Sequence, residues 1–369
     1  MTDKKSIPQS RLISLDAFRG FTIIGMIIVN TPGSWEYVFP PLKHAEWNGL
    51  TPTDLVFPFF LFIVGISIVL AYSKRLKNNA PKSEMVNKII RRSIIIFVFG
   101  IALNLIGSNF EHFRIPGVLQ RIAIVFLVCS LLFIFTKRRT QIWAGILLLV
   151  GYYLLMMLVW VPDIGAGVLL PGKNLAAYID SITIPFYLYQ GSWDPEGVLS
   201  TLPAIGTGIT GMMAGYIALS EKKIEDKVVL LFVYGFFMTL VGEIWDWVFP
   251  INKNIWTSSY VLYTSGLASM TWAVLIWVMD IKGKMSWAYP GVVFGMNAIT
   301  AYVLSYILQI PFTTISMKNG ENLQTLYMKS LVNMGMLPEL ASMIWAVLFT
   351  SLCFIPVWYL YKRKVFLKI

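Results

Sequence analysis

The chain of 369 residues is 57% hydrophobic and 15% aromatic with only 13% charged residues, a balance far from that of a soluble domain. Its formal charge of +11 is gathered between apolar stretches, the pattern of membrane topology, and this argues against a nucleic-acid partner. Two cysteines and two histidines offer neither a disulfide framework nor a metal-ligand cluster, so no metal is expected.

Apolar runs near the ~20 residues needed to cross a ~30 Å hydrocarbon core recur along the whole length. They predict an all-α fold, a polytopic membrane bundle of about ten transmembrane helices forming one domain over 1–369. The spans are placed at 13–32, 55–73, 90–107, 115–135, 140–161, 199–219, 228–249, 259–279, 287–309 and 339–361. Residues 1–11 are polar and carry no removable signal peptide, so the first span is expected to remain in the protein. With both termini on the cytoplasmic side, the inner connections hold most of the Lys and Arg, including Lys74, Arg75, Lys77, Lys137, Arg138, Lys222 and Lys223. The outer ones hold only Lys43, Arg114, Lys173, Lys253, Lys318 and Lys329.

In the first span Asp16, Arg19, Ile23, Met26 and Asn30 fall within an arc of about 80° at 100° per residue, so every strongly polar residue shares one face. Asn30 lies about 16 Å along the axis from Arg19. An ion pair between Asp16 and Arg19 and a packing role for Asn30 compete here with functional readings. The outer connection 33–54 then brings His44, whose imidazole titrates near neutrality and can act as base, acid or nucleophile. Glu46 is close enough in sequence to orient it.

Further along, Asn104 stands near the outer end of span three, Gln120 and Arg121 near the start of span four, and Asn297 near the middle of span nine. Glu243 and Asp246 close span seven. Polar groups at these depths are costly and predict a wet cavity opening outward, with Asp54 or Glu243 as the counter-charge of Arg121. Cys129 and Cys353 fall inside spans as small apolar-tolerant residues. Gly206, Gly208, Gly211 and Gly215 in span six predict close helix packing. The outer connections 33–54, 162–198 and 310–338 are long enough to carry function, and Glu321 to Met336 has the spacing of an interfacial helix.

Several motifs then occur together. Ser14-Leu15-Asp16-Ala17-Phe18-Arg19-Gly20, Ile28-Val29-Asn30 and the run from His44-Ala45-Glu46-Trp47-Asn48-Gly49 to Pro52-Thr53-Asp54 resemble the opening of the heparan-alpha-glucosaminide N-acetyltransferase family, among the transmembrane acyltransferases. Gly117-Val118-Leu119-Gln120-Arg121-Ile122, Asp194-Pro195-Glu196-Gly197, Thr201-Leu202-Pro203-Ala204-Ile205 and Ile251-Asn252-Lys253-Asn254-Ile255-Trp256-Thr257 extend the resemblance over most of the chain.

The resemblance implies transfer of an acetyl group from cytosolic acetyl-CoA to the amine of a glucosamine-type amino sugar or glycan beyond the membrane. It matches His44 and Asn30 to the family's catalytic pair, with His44 as base or acetyl carrier. Asp54, Glu46, Trp47, Glu243 and Asp246 are then candidates for holding the acceptor. Arg19, Asn104, Gln120, Arg121 and Asn297 are candidates for the cofactor path. The resemblance also implies a homodimer and a multi-pass location in a bacterial inner (plasma) membrane. Against the family's eukaryotic members, the stretch between Asn30 and His44 carries a proline-containing insertion and a long lumenal domain is expected to be missing. The acceptor is therefore left open among free glucosamine, an amino sugar entering the cell, and a cell-wall or glycan precursor. A secondary transporter, for which discontinuous helices and an internal repeat would speak, an O-acyltransferase of a surface polysaccharide and a membrane scaffold are the competing classes.

Overall fold

The computed structural model describes residues 12–108, 110–315 and 320–366. Lys318, counted among the outer basic residues, lies outside them. The described residues form an all-helical bundle: α1 (Ile13–Asn30), α2 (Val56–Lys77), α3 (Lys82–Gly107), α4 (Val118–Phe135), α5 (Arg138–Leu158) and α6 (Leu175–Thr183). The order continues with α7 (Thr201–Leu219), α8 (Ile224–Asp246), α9 (Ser258–Leu275), α10 (Tyr289–Met296), α11 (Ala298–Thr314), α12 (Leu323–Asn333) and α13 (Pro338–Lys362). Among the described residues nine helical spans are long and apolar enough to cross a membrane, or ten if a bent pair counts as one span. That pair is the correction to the sequence reading. The span expected at 287–309 is two helices, α10 and α11, meeting at 81°, and Asn297 stands at the break rather than in a helix middle. Its side-chain amide donates to Val365 O at 3.2 Å.

α7 lies at the centre, with 78% of its apolar window buried, and α8 at the rim with 17%. The difference follows from residue size. A Cβ at Gly211 would sit 2.0 Å from Phe62 O, so α2 and α7 touch backbone to backbone. The same device joins α1 to α10, where a Cβ on Gly20 would stand 1.7 Å from Gly291 O. That contact brings Arg19 beside the break between α10 and α11.

The connections at the end where α1 finishes interlock. Trp47 Nε1 donates to Leu169 O, Gly49 N–H to Ile251 O, and Gln324 Nε2 to Pro32 O and Gly33 O. The helix expected within 321–336 is α12, which starts at an Asn322 cap whose side chain accepts from Thr325 N–H. The segment 31–55 is thereby held from three sides.

Candidate active site

His44 is placed by its own loop. Thr51 begins a tight turn, Pro52–Leu55, and forms a reciprocal capping box with Asp54. Asp54 is buried and accepts from His44 Nδ1 at 2.6 Å and from Ala45 N–H, Thr51 N–H and Thr51 Oγ1, each at 3.0 Å. Three N–H donors suit an ionised carboxylate, which only accepts, while the one hydrogen of Thr51 Oγ1 is shared with Lys43 O at 2.7 Å. The Asp54 carbonyl accepts from Tyr260 Oη at 2.6 Å, tying the turn to α9. With Nδ1–H committed to Asp54, Nε2 carries the free lone pair of a neutral His44 ring.

A third group completes the cluster. Lys253 Nζ lies 2.9 Å from His44 Nδ1, 3.1 Å from Nε2 and 3.7 Å from Asp54 Oδ1. Its loop is fixed by the Asp246 carboxylate on Ile251 N–H, by Asn252 bonding Asn48 at 3.0 Å, and by Trp256. Trp256 adopts φ of 51°, a costly conformation for an aromatic residue. Its ring is buried against Phe57 and Tyr260. Burial pushes the Lys253 ammonium below its ordinary range, against the pull of Asp54 and Glu196.

One cavity contains this cluster, and a second lies further along α1, α2 and α4. The smaller, about 60 Å³, is lined by His44, Asn30, Glu196, Lys253 and Tyr302 between apolar walls that include Phe57 and Val118. The larger, about 450 Å³, is lined by Arg19, Ser67, Tyr72 and Arg92, with Phe60 and Ile122 in its wall. Phe57 and Phe60 share α2, and Val118 and Ile122 share α4, so the nearest edges of the two cavities lie about one helical turn, about 5 Å, apart, while Asn30 and Arg19 on α1 line them about 16 Å from each other. Arg19 donates to Ser67 Oγ at 2.7 Å, Gly295 O at 3.3 Å and Asp16 Oδ1 at 3.5 Å.

Residues 11–229 match the family described as heparan-alpha-glucosaminide N-acetyltransferase, catalytic. The chain belongs to that family. The heparan-alpha-glucosaminide N-acetyltransferases of Homo sapiens and Mus musculus are 33% and 30% identical to it, over 79% and 81% of its length. The alignments cover 52% and 54% of those relatives, so the chain spans about half their length. In this N-acetyltransferase-family chain the matched region holds Asn30, His44, Asp54, Arg19, Arg92 and Glu196. Lys253 and Tyr302 lie beyond it.

The structure brings Asn30, His44 and Asp54 together and puts Arg19 on the larger cavity. Other expected site residues of this acetyltransferase-family chain stand elsewhere. Glu46 is exposed, and Asp54 holds the ring nitrogen it was expected to orient. Glu243 is exposed on rim helix α8, and the Asp246 carboxylate is spent on Ile251 N–H. Trp47 braces the loop against Leu169 and stacks edge-on to Trp193 at 5.3 Å. Asn104 closes the α3–α4 connection by donating to Arg114 O and Pro116 O. Gln120 fills the space over Gly100 and Gly117.

Arg121 pairs with neither Asp54 nor Glu243. It donates to Ser200 Oγ at 2.5 Å and Gly197 O at 3.3 Å and lies over Trp256, with Glu196, Asp194 and Asp180 as its electrostatic partners. Asn297 turns to Val365 while its neighbours Met296 and Ala298 line the larger cavity. The sequence reading missed Glu196, Lys253, Tyr302 and Arg92. Glu196 and Lys253 stood inside quoted motifs, which was their only signal. Among the described residues no group of three or more His, Cys, Asp or Glu is gathered as for a metal ion.

Proposed function

We propose that this protein moves an acetyl group from cytosolic acetyl-CoA to the amine of a glucosamine-type sugar at the outer face of a bacterial inner membrane. The observation that carries the reading is the pair of cavities whose nearest edges lie about one helical turn apart, with a braced histidine in one and arginines in the other. Arg19 and Arg92 suit the phosphates of acetyl-CoA, and the apolar wall from Phe60 to Ile122 suits its pantetheine arm. Acetyl-CoA supplies an activated acyl group as a thioester; the chain supplies the rest.

Glu196 faces the smaller cavity and attracts the acceptor as an ammonium ion, the part first given to Asp54, Glu243 and Asp246. His44 Nε2 takes a proton from that ammonium, freeing the nitrogen lone pair, and Asp54 stabilises the imidazolium that results. Asn30 donates to the acyl oxygen as charge develops there. The proton on His44 then passes to the departing sulfur, and the second proton of the acylated nitrogen is released to solvent. An acetyl group carried on His44 is the alternative order of events.

Purified protein given labelled acetyl-CoA and glucosamine makes labelled N-acetylglucosamine, and His44→Ala abolishes this while the protein stays folded. Full activity in that variant sinks the assignment. The break at Asn297 favours a second reading, sugar transport, because discontinuous helices mark many transporter sites. Uptake of amino sugar into proteoliposomes lacking acetyl-CoA would support it.

A further inference from the structure

We infer that Lys253 is a catalytic residue of the acetyl transfer: its ammonium, held against His44, is the second donor to the oxyanion that forms at the acyl carbon. The inference rests on the acetyltransferase reading above. Lys253 comes from the loop between α8 and α9, 209 residues from His44, and converges on the same cavity as Asn30.

The contact is poised to change during the reaction. At rest Lys253 Nζ stands 2.9 Å from Nδ1 and 3.1 Å from Nε2, nearly equidistant from the two ring nitrogens and so off the axis of the Nε2 lone pair, which stays free to act as base. When Nε2 takes the acceptor's proton, that lone pair is gone and two cations face each other at short range. Two cations about 3 Å apart repel even where His44 is partly open to solvent. The flexible Lys253 stem then swings its donor away from the ring, while Asp54 at 3.7 Å keeps it within the site. A negative oxygen has just appeared there.

Two protons leave the acceptor nitrogen: His44 takes the first before attack, and solvent water takes the second once the C–N bond has formed. The acceptor nitrogen forms the C–N bond, and the carbonyl π pair moves to oxygen, where Asn30 and Lys253 donate. When that pair returns, the C–S bond breaks, its electrons leave on sulfur, and His44 returns its proton to sulfur. Protonation of the base and stabilisation of the oxyanion are thereby linked through one side chain. A single neutral amide such as Asn30 would stabilise the oxyanion less than an amide with a cation.

The test is steady-state kinetics on protein purified in detergent, with glucosamine and labelled acetyl-CoA. Lys253→Met is expected to lower kcat by about 10²–10³-fold with KM for both substrates within about threefold, since the interaction exists only in the transition state. Lys253→Arg keeps the cation and should recover at least about tenfold of that loss. Should Lys253→Met fail to fold, Lys253→Cys alkylated with 2-bromoethylamine rebuilds a cationic side chain on folded protein. Cys129 and Cys353 are buried and spared. Restored kcat supports the inference and unrestored kcat overturns it. A Lys253→Met variant within about threefold of normal kcat, or one impaired in KM alone, overturns it while the acetyltransferase reading stands. Absence of acetylated product from the unaltered protein removes both.

Discussion

Asp54 and His44 are joined at 2.6 Å, and the carboxylate is held by two further N–H donors and the shared Thr51 hydroxyl, so the imidazole has one orientation and one available lone pair. Asp54→Asn preserves the shape but offers an amide that cannot stabilise an imidazolium. We expect kcat to fall by about 10²–10⁴-fold with thermal unfolding little changed. Near-normal turnover in this variant would remove Asp54 from the chemistry.

Glu196 links two environments. One face lines the smaller cavity and the other receives Arg114 Nη2 at 2.7 Å, which also grips Asp194. Glu196→Gln keeps the volume and loses the charge that draws an ammonium ion. KM for the amino sugar should rise by about tenfold, with KM for acetyl-CoA unchanged. A change confined to acetyl-CoA would contradict the assignment.

Arg92 contributes charge to the larger cavity without the bonds to Ser67 and Gly295 that occupy Arg19. Arg92→Ala should weaken binding of coenzyme A by about 10–100-fold, the scale of a charge-assisted hydrogen bond to phosphate. Calorimetric titration with coenzyme A reads this directly, and an unchanged affinity would place the phosphates elsewhere.

Burial raises the Asp180 carboxyl from 3.8 to about 6, despite the N–H donors of Val198 and Asp194. The folded protein thus holds a proton there that the unfolded chain has released. The sign follows: the stability contribution is full below the unfolded value near 3.8 and is lost as pH rises through about 6. Asp180→Asn should flatten the melting temperature between those limits and raise it at pH 8. An unaltered profile would show that the carboxyl titrates normally.

Backbone contact between α1 and α10 leaves no room for a side chain at Gly20. Gly20→Ala should destabilise by about 1–3 kcal/mol and displace Arg19 from the larger cavity. Scanning calorimetry together with coenzyme A titration would register both effects, and an unaffected pair of readings would refute the tight approach.

Most of the helices were legible because an apolar run of membrane-crossing length has few other uses, whereas the face of α1 and the loop that follows left the roles of Asn30 and His44 open, and only the family resemblance singled them out as a pair. The break at Asn297 was hidden because residues 287–309 read as an unbroken apolar run. Asp54 was misread as a partner for Arg121 because the turn of Pro52–Leu55, which folds it back on His44, leaves no periodic trace. Lys253 and Glu196 reach the site from distant loops, and only packing decides which remote loop covers which cavity. Glu243 and Asp246 show the converse: charges at a helix end satisfy capping or face outward as readily as they face a site.

The single turn between the nearest edges of the two cavities has a consequence for the membrane itself. If the large cavity is wetted from one face and the small one from the other, apolar side chains such as Phe57, Phe60, Val118 and Ile122, which line their neighbouring edges, separate the two solutions. Such a partition resembles the hydrophobic gate of a channel, which resists ions by staying dry. On the proposed function, an acyl group would have to pass such a seal without a leak of protons, so the bulk of these side chains would set both properties at once.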